Sequence, residues 1–462
     1  MPYILKKYYP VRNIIFFFGE GFLIFLTVNL VYYTFTGWEV YRQQLVHDAV
    51  RSAIVTLVFQ LTLYFFDLYD LRRLGRVIET VVRMIQAFGF GCIILAGLYY
   101  TFPALVISTR IYWICFLVIC YVLLVWRLLY YLILEKRLFA QPLLILGTGK
   151  IASALAEVIE DNQDSGYKIA AFIGDDDGKE LYNPRDVPVF PFQDSLQEIC
   201  DRYRIERIVV GLDDRRGTMP VRALLQCKVK GMDIEDGITF YEAITGKILV
   251  EKVNPAWLVF SDGFQVNRLS YFLKRSLDLV LAVVIFFISL PITVLTAILI
   301  KLDSPGPVFY TQERVGERNI PFKVIKFRSM RQDAEKNGPV WAMQNDNRVT
   351  RIGNFIRRVR IDEIPQIINV IKGEMSFVGP RPERPVFVER LTETIPYYSL
   401  RHSVKPGITG WAQVWYPYGA SEEDALRKLE FDLYYIKNQS IFMDLLVIFH
   451  TIKTVLLQRG SR

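Results

Sequence analysis

Apolar residues are concentrated in four long segments at the start of the chain. These segments cover about residues 14–36, 53–70, 81–102 and 110–134. Each is about long enough to cross a hydrocarbon core, which takes roughly 20 apolar residues in a helix. The pattern therefore predicts a four-helix transmembrane bundle within residues 1–137. The first run is long and lacks a small-residue cleavage site, so we expect a retained helix rather than a signal peptide.

Positive charge flanks these segments unevenly. Basic residues precede the first segment, occupy the second connection and follow the fourth segment: Lys6, Lys7, Arg12, Arg72, Arg73, Arg76, Arg83, Lys136 and Arg137. The first and third connections carry little positive charge. Because positively charged loops stay in the cytoplasm, we expect both ends of the bundle to face that side.

Three charged residues fall within or near the apolar segments, namely Glu20, Asp67 and Arg127. An ionisable residue inside a membrane suggests a function. For Asp67 and Arg127 we favour positions near the interface, where the side chains snorkel or pair. The pattern assigns no role to Glu20.

A soluble pattern covers residues 138–265. PLLILGTG is an apolar strand that ends in glycine, IASALAEVIED continues as an amphipathic helix, and KIAAFIGDDD and IERIVVGLDD supply further strands. Strands that alternate with helices predict a parallel sheet covered on both faces. We therefore expect a Rossmann-like α/β domain.

The first strand of this domain leads into a glycine-containing turn. Gly147 and Gly149 lie where dinucleotide-binding turns carry glycine, and residues 175–177 are three aspartates at about the distance needed to contact a ribose. The turn is compatible with nucleotide binding, or with a fold retained as a regulatory or dimerising module. We favour the retained fold without redox chemistry.

A fifth apolar segment follows at about residues 277–300, between Lys274 and Lys301. It is long enough to span, but a complete span would place the strongly basic region after it outside the cell. Pro291 removes a helical hydrogen bond near the middle of the segment. We therefore predict a re-entrant helix over about 274–301, with a kinked complete span as the alternative.

The remaining sequence, within a predicted domain of residues 266–462, is mainly helical and basic. Its last apolar stretch, IFMDLLVIFHTIKTVLL, contains Asp444, His450 and Lys453. This composition indicates an amphipathic helix in the membrane interface rather than a span.

Composition supports a membrane protein. Hydrophobic residues make up 52% of the chain, and 55 Lys and Arg against 47 Asp and Glu give a net charge of +8. A basic membrane protein matches the cytoplasmic face and anionic lipid. The chain carries no nucleic-acid recognition motif, so we expect no nucleic-acid partner. Its five cysteines include no C-x-x-C pair, which argues against a zinc site.

An adjacent pair of carboxylates, Asp362 and Glu363, is the strongest candidate for chemistry. Asp362 can cap a helix that has Pro365 in its first turn. Two carboxylates at an exposed helix start can divide the work, one attacking phosphorus and the other holding magnesium. In isolation, the pair would be read as a cap beside a Glu favoured by the helix dipole.

The surrounding residues change that interpretation. Pro380 and Pro382 flank Arg381 and fix the local backbone, which presents the arginine as a bidentate phosphate ligand. Three further motif-like stretches complete the region: SPGPVFYTQERVG from Ser304, FKVIKFRSM from Phe322 and RHSVKPGITGWAQ from Arg401.

With these motifs in order, residues from about 270 to 462 resemble the monotopic phosphoglycosyl transferases, the bacterial sugar transferase family. The whole chain resembles the large polyprenyl-phosphate glycosyl-1-phosphate transferases of exopolysaccharide and O-antigen synthesis. The resemblance implies a cytoplasmic-side enzyme of the bacterial inner membrane. It also implies a UDP-sugar donor, a polyprenyl phosphate acceptor, Mg²⁺ and a homodimer.

The resemblance also implies residue roles. The family dyad falls on Asp362 as the nucleophile and Glu363 as the magnesium ligand. Its proline-arginine-proline motif falls on Pro380, Arg381 and Pro382. Phosphate-binding basic residues would be Lys326, Arg328, Arg357 and Arg401. The break in the re-entrant helix would lie at Ser289 and Pro291, one residue looser than the Ser-Pro pair of the family.

Two other functional classes fit the sequence less well. A membrane-bound NAD-dependent dehydratase or epimerase also joins membrane helices to a Rossmann domain. It needs a Tyr-x-x-x-Lys pair, which residues 142–270 lack. A non-catalytic scaffold would have no need of the two carboxylates and the arginine motif. No motif identifies the sugar.

Overall fold

The computed structural model describes residues 3–4, 7–8, 11–69, 77–106, 108–135, 140–162, 165–174, 181–193, 195–215, 218–253, 255–261, 263–264, 268–331, 348–417, 419 and 421–456. These residues form two compact units, Met1–Phe240 and Tyr241–Arg462. The three-domain division at 1–137, 138–265 and 266–462 stays a prediction.

The first unit opens with two short paired strands and four long helices. Their bounds are β1 Tyr3–Ile4, β2 Lys7–Tyr8, α1 Val11–Thr36, α2 Trp38–Phe65, α3 Val77–Thr101 and α4 Thr109–Glu135. Each of the four helices is long and apolar enough to cross a membrane. Of the predicted flanking charges, Arg72, Arg73, Arg76, Lys136, Arg137 and Lys6 lie outside the described residues.

The second helix is longer than its apolar segment predicted. It begins at Trp38, directly after Gly37, so the stretch expected to connect the first two segments is helical. Its Gln, Arg and Leu residues are good helix formers. A prediction based on apolar segments does not detect the part of a helix that is polar. The helix ends at Phe65, before Asp67, whose φ is 60°.

The charged residues of this bundle pair with each other. Arg127 on α4 lies 2.8 Å from Glu20 on α1, and both side chains are buried. The same guanidinium donates a hydrogen bond of 2.7 Å to the carbonyl of Leu68. Glu20, which the sequence left without a role, therefore neutralises Arg127 and links α1 to α4.

The rest of this unit is a five-stranded sheet with flanking helices. Its elements are β3 Gln141–Leu146, α5 Lys150–Asp161, β4 Tyr167–Ile173, β5 Val189–Phe190, α6 Leu196–Tyr203, β6 Arg207–Val210, α7 Val221–Val229 and β7 Asp233–Asp236. All neighbouring strands are parallel, in the order β5-β4-β3-β6-β7. The predicted parallel sheet is confirmed. The order reverses between β3 and β6, where ligands of such sheets usually bind.

The second unit is mainly helical. Following α8 Gly237–Thr245, its elements are α9 Pro255–Phe260, α10 Arg268–Asp303, β8 Phe309–Val315, β9 Pro321–Phe327, α11 Arg351–Arg358, α12 Ile367–Lys372, β10 Ser376–Val378, α13 Pro385–Thr394, β11 Gly407–Thr409, α14 Trp411–Trp415, α15 Glu422–Lys437 and α16 Ile441–Leu456. Strands β8 and β9 form an antiparallel hairpin, and β10 pairs with β11 in parallel. Short 3₁₀ helices include Ile361–Gln366 and Tyr398–Ser403.

Helix α10 is continuous for 36 residues and passes through Pro291. The sequence predicted a break at Ser289 and Pro291, but the structure keeps both in one helix, with Ser289 buried and Pro291 exposed. A proline inside a helix removes one hydrogen bond and kinks the axis, so it does not have to end the helix. Most of the helix middle is apolar and exposed, for example Phe287 at 67% and Ile288 at 71%.

Both ends of α10 are bonded to the second unit. Near its start, Lys274 contacts Asp444 of α16 at 2.8 Å, and Asp278 accepts hydrogen bonds of 3.0 Å from Ser376 and from the Phe377 N–H. Near its end, the Asp303 carboxylate accepts a hydrogen bond from the N–H of Ile352 in α11. The apolar middle is therefore held between two attachments to one compact unit.

Candidate active site

Asp362 and Glu363 lie in a 3₁₀ helix, Ile361–Gln366, that leads directly into α12. Arg360 precedes it with φ 61°. Asp362 is therefore inside a helical turn, and the prediction that it caps the helix is wrong. The left-handed conformation of Arg360 turns the chain sharply after α11. The sequence does not predict this turn, because arginine rarely adopts that conformation.

Glu363 is buried and paired with two cations. Its Oε1 accepts a hydrogen bond of 2.7 Å from Arg381 and lies 3.2 Å from Lys326 Nζ. Burial by itself would raise the pKa of Glu363, but Arg381, Lys326 and Arg360 together hold it well below its usual range. Glu363 is therefore a permanent anion that orients two of the predicted phosphate ligands.

Asp362 is half-buried, and its hydrogen bonding and pKa differ from those of Glu363. Among the described residues, no side chain donates a hydrogen bond to its carboxylate. Burial and the neighbouring Glu363 raise the pKa of Asp362 to about 6, although Lys326, Arg381 and Arg357 oppose the rise. One carboxylate of the pair is thus committed to ion pairs, and the other has lone pairs available for attack.

Lys326 reaches this pair from the β8–β9 hairpin. Asn369 on α12 holds the hairpin in place: its Oδ1 accepts from the Ile325 N–H at 3.0 Å, and its Nδ2 donates to the Lys323 carbonyl at 2.8 Å. The side-chain amide of Asn369 is fully buried and pairs with a main-chain N–H and a main-chain carbonyl of β9, as the backbone of a neighbouring strand would. It links the strand carrying Lys326 to the helix that follows Glu363.

The Pro380-Arg381-Pro382 segment follows β10, and each of its three carbonyls accepts a hydrogen bond. The donors are the N–H of Gly407 at 2.9 Å, the guanidinium of Arg401 at 2.9 Å and the guanidinium of Arg314 at 3.1 Å, respectively. The prolines fix φ, and the hydrogen bonds fix the remaining freedom of the segment. The structure thus holds the backbone of Arg381 rigidly while its side chain reaches Glu363.

Two of the predicted phosphate ligands are used elsewhere. Arg328 is buried and donates to the carbonyls of Ser304 and Pro305 at 2.7 and 2.8 Å, just after α10 ends. Arg401 is buried against Asp432 and Tyr398. A lone arginine in sequence gives no sign of whether carbonyls or a ligand will occupy its donors. We therefore assign both to structural support.

The remaining predicted residues fall into two groups. Arg357, at the end of α11, lies close enough to Asp362 for its positive charge to oppose the rise in the pKa of that carboxylate. Ser289 and Pro291 lie on α10, and Gly147 and Gly149 lie on the turn after β3; within the described part of the chain, none of the four bonds to Asp362 or Glu363. Residues 175–177, predicted to contact a ribose, lie outside the described residues.

Sequence reasoning missed three contributors to the site, namely Arg314, Arg360 and Asn369. Arg314 stands in the QERVG stretch, which is motif-like but does not indicate a role for its arginine. Arg360 stands directly before the carboxylate pair. Asn369 had no signal, because an amide that bonds a distant strand resembles any other helical asparagine.

A magnesium site would have to use this carboxylate pair. The described residues contain no group of three or more His, Cys, Asp or Glu side chains placed to hold a metal ion. Magnesium commonly binds through one or two carboxylates together with substrate phosphates. Adjacent Asp362 and Glu363 fit that pattern, since only Oε1 of Glu363 is engaged by Lys326 and Arg381.

Two protein-family models and several relatives match this chain. The bacterial sugar transferase family model matches residues 269–458, and a CoA-binding domain model matches residues 64–235. The UDP-N-acetylgalactosamine-undecaprenyl-phosphate N-acetylgalactosaminephosphotransferase of Aeromonas hydrophila is 41% identical over 289 residues, which is 60% of this chain and 67% of that protein.

Two further relatives are named for different sugars. The UDP-galactose-lipid carrier transferase of Erwinia amylovora is 30% identical over 348 residues, covering 71% of this chain and 70% of the relative. The UDP-glucose:undecaprenyl-phosphate glucose-1-phosphate transferase of Escherichia coli (strain K12) is 46% identical over 189 residues, 40% of each chain. This last match therefore spans less than half of the relative.

Proposed function

Because the chain belongs to the bacterial sugar transferase family, we propose that it transfers a hexose 1-phosphate from a UDP-sugar to undecaprenyl phosphate and releases UMP. The observation that carries the proposal is the division of labour between adjacent carboxylates. Glu363 is bound to Lys326 and Arg381, whereas no described side chain donates a hydrogen bond to Asp362.

The reaction proceeds by two displacements at one phosphorus. A carboxylate oxygen of Asp362 attacks the phosphorus that bears the sugar, and the bond to UMP breaks with its electron pair leaving on UMP. A phosphosugar-aspartate is left. A phosphate oxygen of undecaprenyl phosphate then attacks the same phosphorus and returns the electron pair to the Asp362 carboxylate. Two such steps retain the free carboxylate for the next cycle.

Basic residues around the pair supply the electrostatic stabilisation. Arg381 and Lys326 meet at Glu363 Oε1, so a diphosphate beside Asp362 would lie within reach of both cations. Their positions are set before substrate arrives, which spares reorganisation during the reaction. Magnesium held by Glu363 would neutralise diphosphate charge when bound.

We further propose that α10 enters and leaves the membrane on one side. Both of its ends bond to the second unit, while the exposed apolar middle requires lipid. A complete span would need that compact unit on both sides of a bilayer. Helix α16 agrees with a unit lying on the surface, because Asp444 and Lys453 face inward and Phe442 and Ile452 face outward.

This geometry would bring the carboxylate to the boundary where both substrates arrive. The donor is water-soluble and the acceptor is fixed in lipid. Because UDP-sugars are found in the cytoplasm, the protein would lie in the inner membrane with its second unit on the cytoplasmic side. The dehydratase alternative gains no support from the relatives, all of which are named as transferases. A homodimer stays a prediction.

The test is the first half-reaction, run without acceptor. Purified full-length protein is mixed with magnesium and a panel of UDP-sugars, and UMP release and intact protein mass are followed. We expect one UMP per chain and a mass increase of one hexose phosphate, both lost in Asp362→Asn. The control is Asp201→Asn, which changes an exposed acid of the first unit. UMP release by Asp362→Asn would refute the assignment.

A further inference from the structure

The turn between β3 and α5 is where a pyrophosphate would be expected in the Rossmann-like domain. The N–H groups at the start of a helix bind anions, and sheets of this type place the cofactor pyrophosphate there. The matching CoA-binding family also implies a ligand that carries a pyrophosphate. The question is whether the residues of this turn fit such a group.

In this chain the start of α5 already bonds an anion. The carboxylate of Asp213 accepts a hydrogen bond of 2.7 Å from the N–H of Lys150 and one of 3.0 Å from the N–H of Ile151. Asp213 comes from the segment after β6, the strand beside β3. It therefore crosses the crevice at the reversal of strand order and takes the position of a cofactor phosphate.

The two glycines of the turn are explained by this self-contact. A Cβ on Gly147, whose φ is +125°, would lie 2.6 Å from the carbonyl of Gly211. A Cβ on Gly149 would collide with the Asp213 carboxylate. The close approach that glycine usually permits between backbone and ligand is here an approach between two segments of the same chain.

The described part of this edge thus offers no vacant helix start for a pyrophosphate, because the Asp213 carboxylate already bonds the N–H groups of Lys150 and Ile151.

We infer that Asp213 closes the pyrophosphate site of this domain, so that the domain does not take up CoA or a dinucleotide through the turn from Gly147 to Gly149. The inference concerns the first unit and is independent of the proposed transferase reaction. Because Asp213 is exposed and the closure uses one side chain, a single substitution should reverse it.

The experiment measures CoA and NAD⁺ binding to full-length protein by equilibrium dialysis with radiolabelled ligand. We expect no saturable binding by the wild type. Asp213→Ala vacates two N–H groups and removes a charge of the same sign as the phosphates, so it should bind CoA saturably and raise the bound CoA about tenfold or more above the wild-type background. The control, Asp214→Ala, removes the same charge one residue along and should bind no better than the wild type.

Each other outcome overturns the inference. Saturable CoA binding by the wild type would show that the carboxylate does not exclude the ligand. Failure of Asp213→Ala to bind, in a protein that still releases UMP from its donor, would show that Asp213 is not the group that closes the site. Equal gains in Asp213→Ala and Asp214→Ala would reduce the effect to net charge.

Discussion

The guanidinium of Arg401 donates a hydrogen bond of 2.9 Å to the main-chain carbonyl of Arg381, and also bonds Asp432 at 2.9 Å. Arg381 in turn points its own guanidinium at Glu363. Two arginines that look equivalent in sequence therefore play different parts. One holds the backbone of the site, and the other reaches into it.

This difference predicts that the same substitution mainly lowers stability at Arg401 and mainly lowers activity at Arg381. Arg401→Gln leaves Asp432 buried without its partner, which typically costs about 3–5 kcal/mol, so thermal unfolding should shift well downward. Arg381→Gln removes a half-exposed side chain, so UMP release should fall steeply with a much smaller change in unfolding temperature. An Arg401→Gln protein of normal stability that had lost UMP release would instead place Arg401 at the phosphates.

The sequence predicted which charged residues meet better than it predicted the residues that hold them in place. Asp362, Glu363, Arg381 and Lys326 are brought together as the motifs indicated. Arg328 and Arg401, predicted to bind phosphate, instead bond carbonyls and a buried carboxylate in the structure, and an arginine that does so has the same sequence signature as one that binds phosphate. The polar start of α2 was missed because it is mostly exposed and carries no continuous apolar run, so a search for apolar segments does not detect it. Local pattern shows which groups are available, and long-range contacts decide how they are used.

The fall in the rate of the first half-reaction at acidic pH should reflect the protonation of Asp362. Only its carboxylate form attacks, and its pKa is raised to about 6 by burial and by Glu363. The single-turnover rate of UMP release should therefore fall as pH drops through about 6, by about tenfold per unit below it. Glu363→Gln removes one contribution that raises the pKa, so in this variant the fall should move to lower pH. An unchanged pH profile in that variant would contradict the coupling of the two carboxylates.

Asn369 should act by holding β9 in place. Asn369→Asp keeps an acceptor for the Ile325 N–H but replaces the donor to the Lys323 carbonyl with an anion, beside Glu374. A buried group left unpaired costs about 1–3 kcal/mol, so unfolding should shift downward by that order. The displaced Lys326 should also slow UMP release. The exposed Asn354→Asp is the matched control, and equal behaviour of the two variants would remove Asn369 from the site.

The pair formed by Glu20 and Arg127 should behave as a buried ion pair. Arg127→Met or Glu20→Leu alone leaves an uncompensated charge among the apolar helices, whereas Glu20→Leu with Arg127→Met leaves none. Thermal unfolding in detergent should therefore show each single variant less stable than the double variant. Additive losses in this double-mutant cycle would mean that the two charges do not depend on each other.

The last prediction concerns the path of α10 through the membrane. In a chain whose five cysteines are replaced by serine, Ser270→Cys and Lys301→Cys introduce thiols at the exposed ends of the helix. Both should react with a membrane-impermeant maleimide only when inverted vesicles expose the cytoplasmic face. Phe287→Cys, in the exposed apolar middle, should react from neither side.

Ser108→Cys provides the opposite control, because it lies in the connection between α3 and α4 that carries little positive charge and is expected outside. It should react in right-side-out vesicles. Between Lys274 and Ile300 a helix is about 39 Å long, enough to cross a bilayer once, so length does not decide the path. What decides it is that Lys274 and Asp303 bond to one compact unit. Labelling of residues 270 and 301 from opposite faces would break that argument, because the unit would then have to be divided by the membrane.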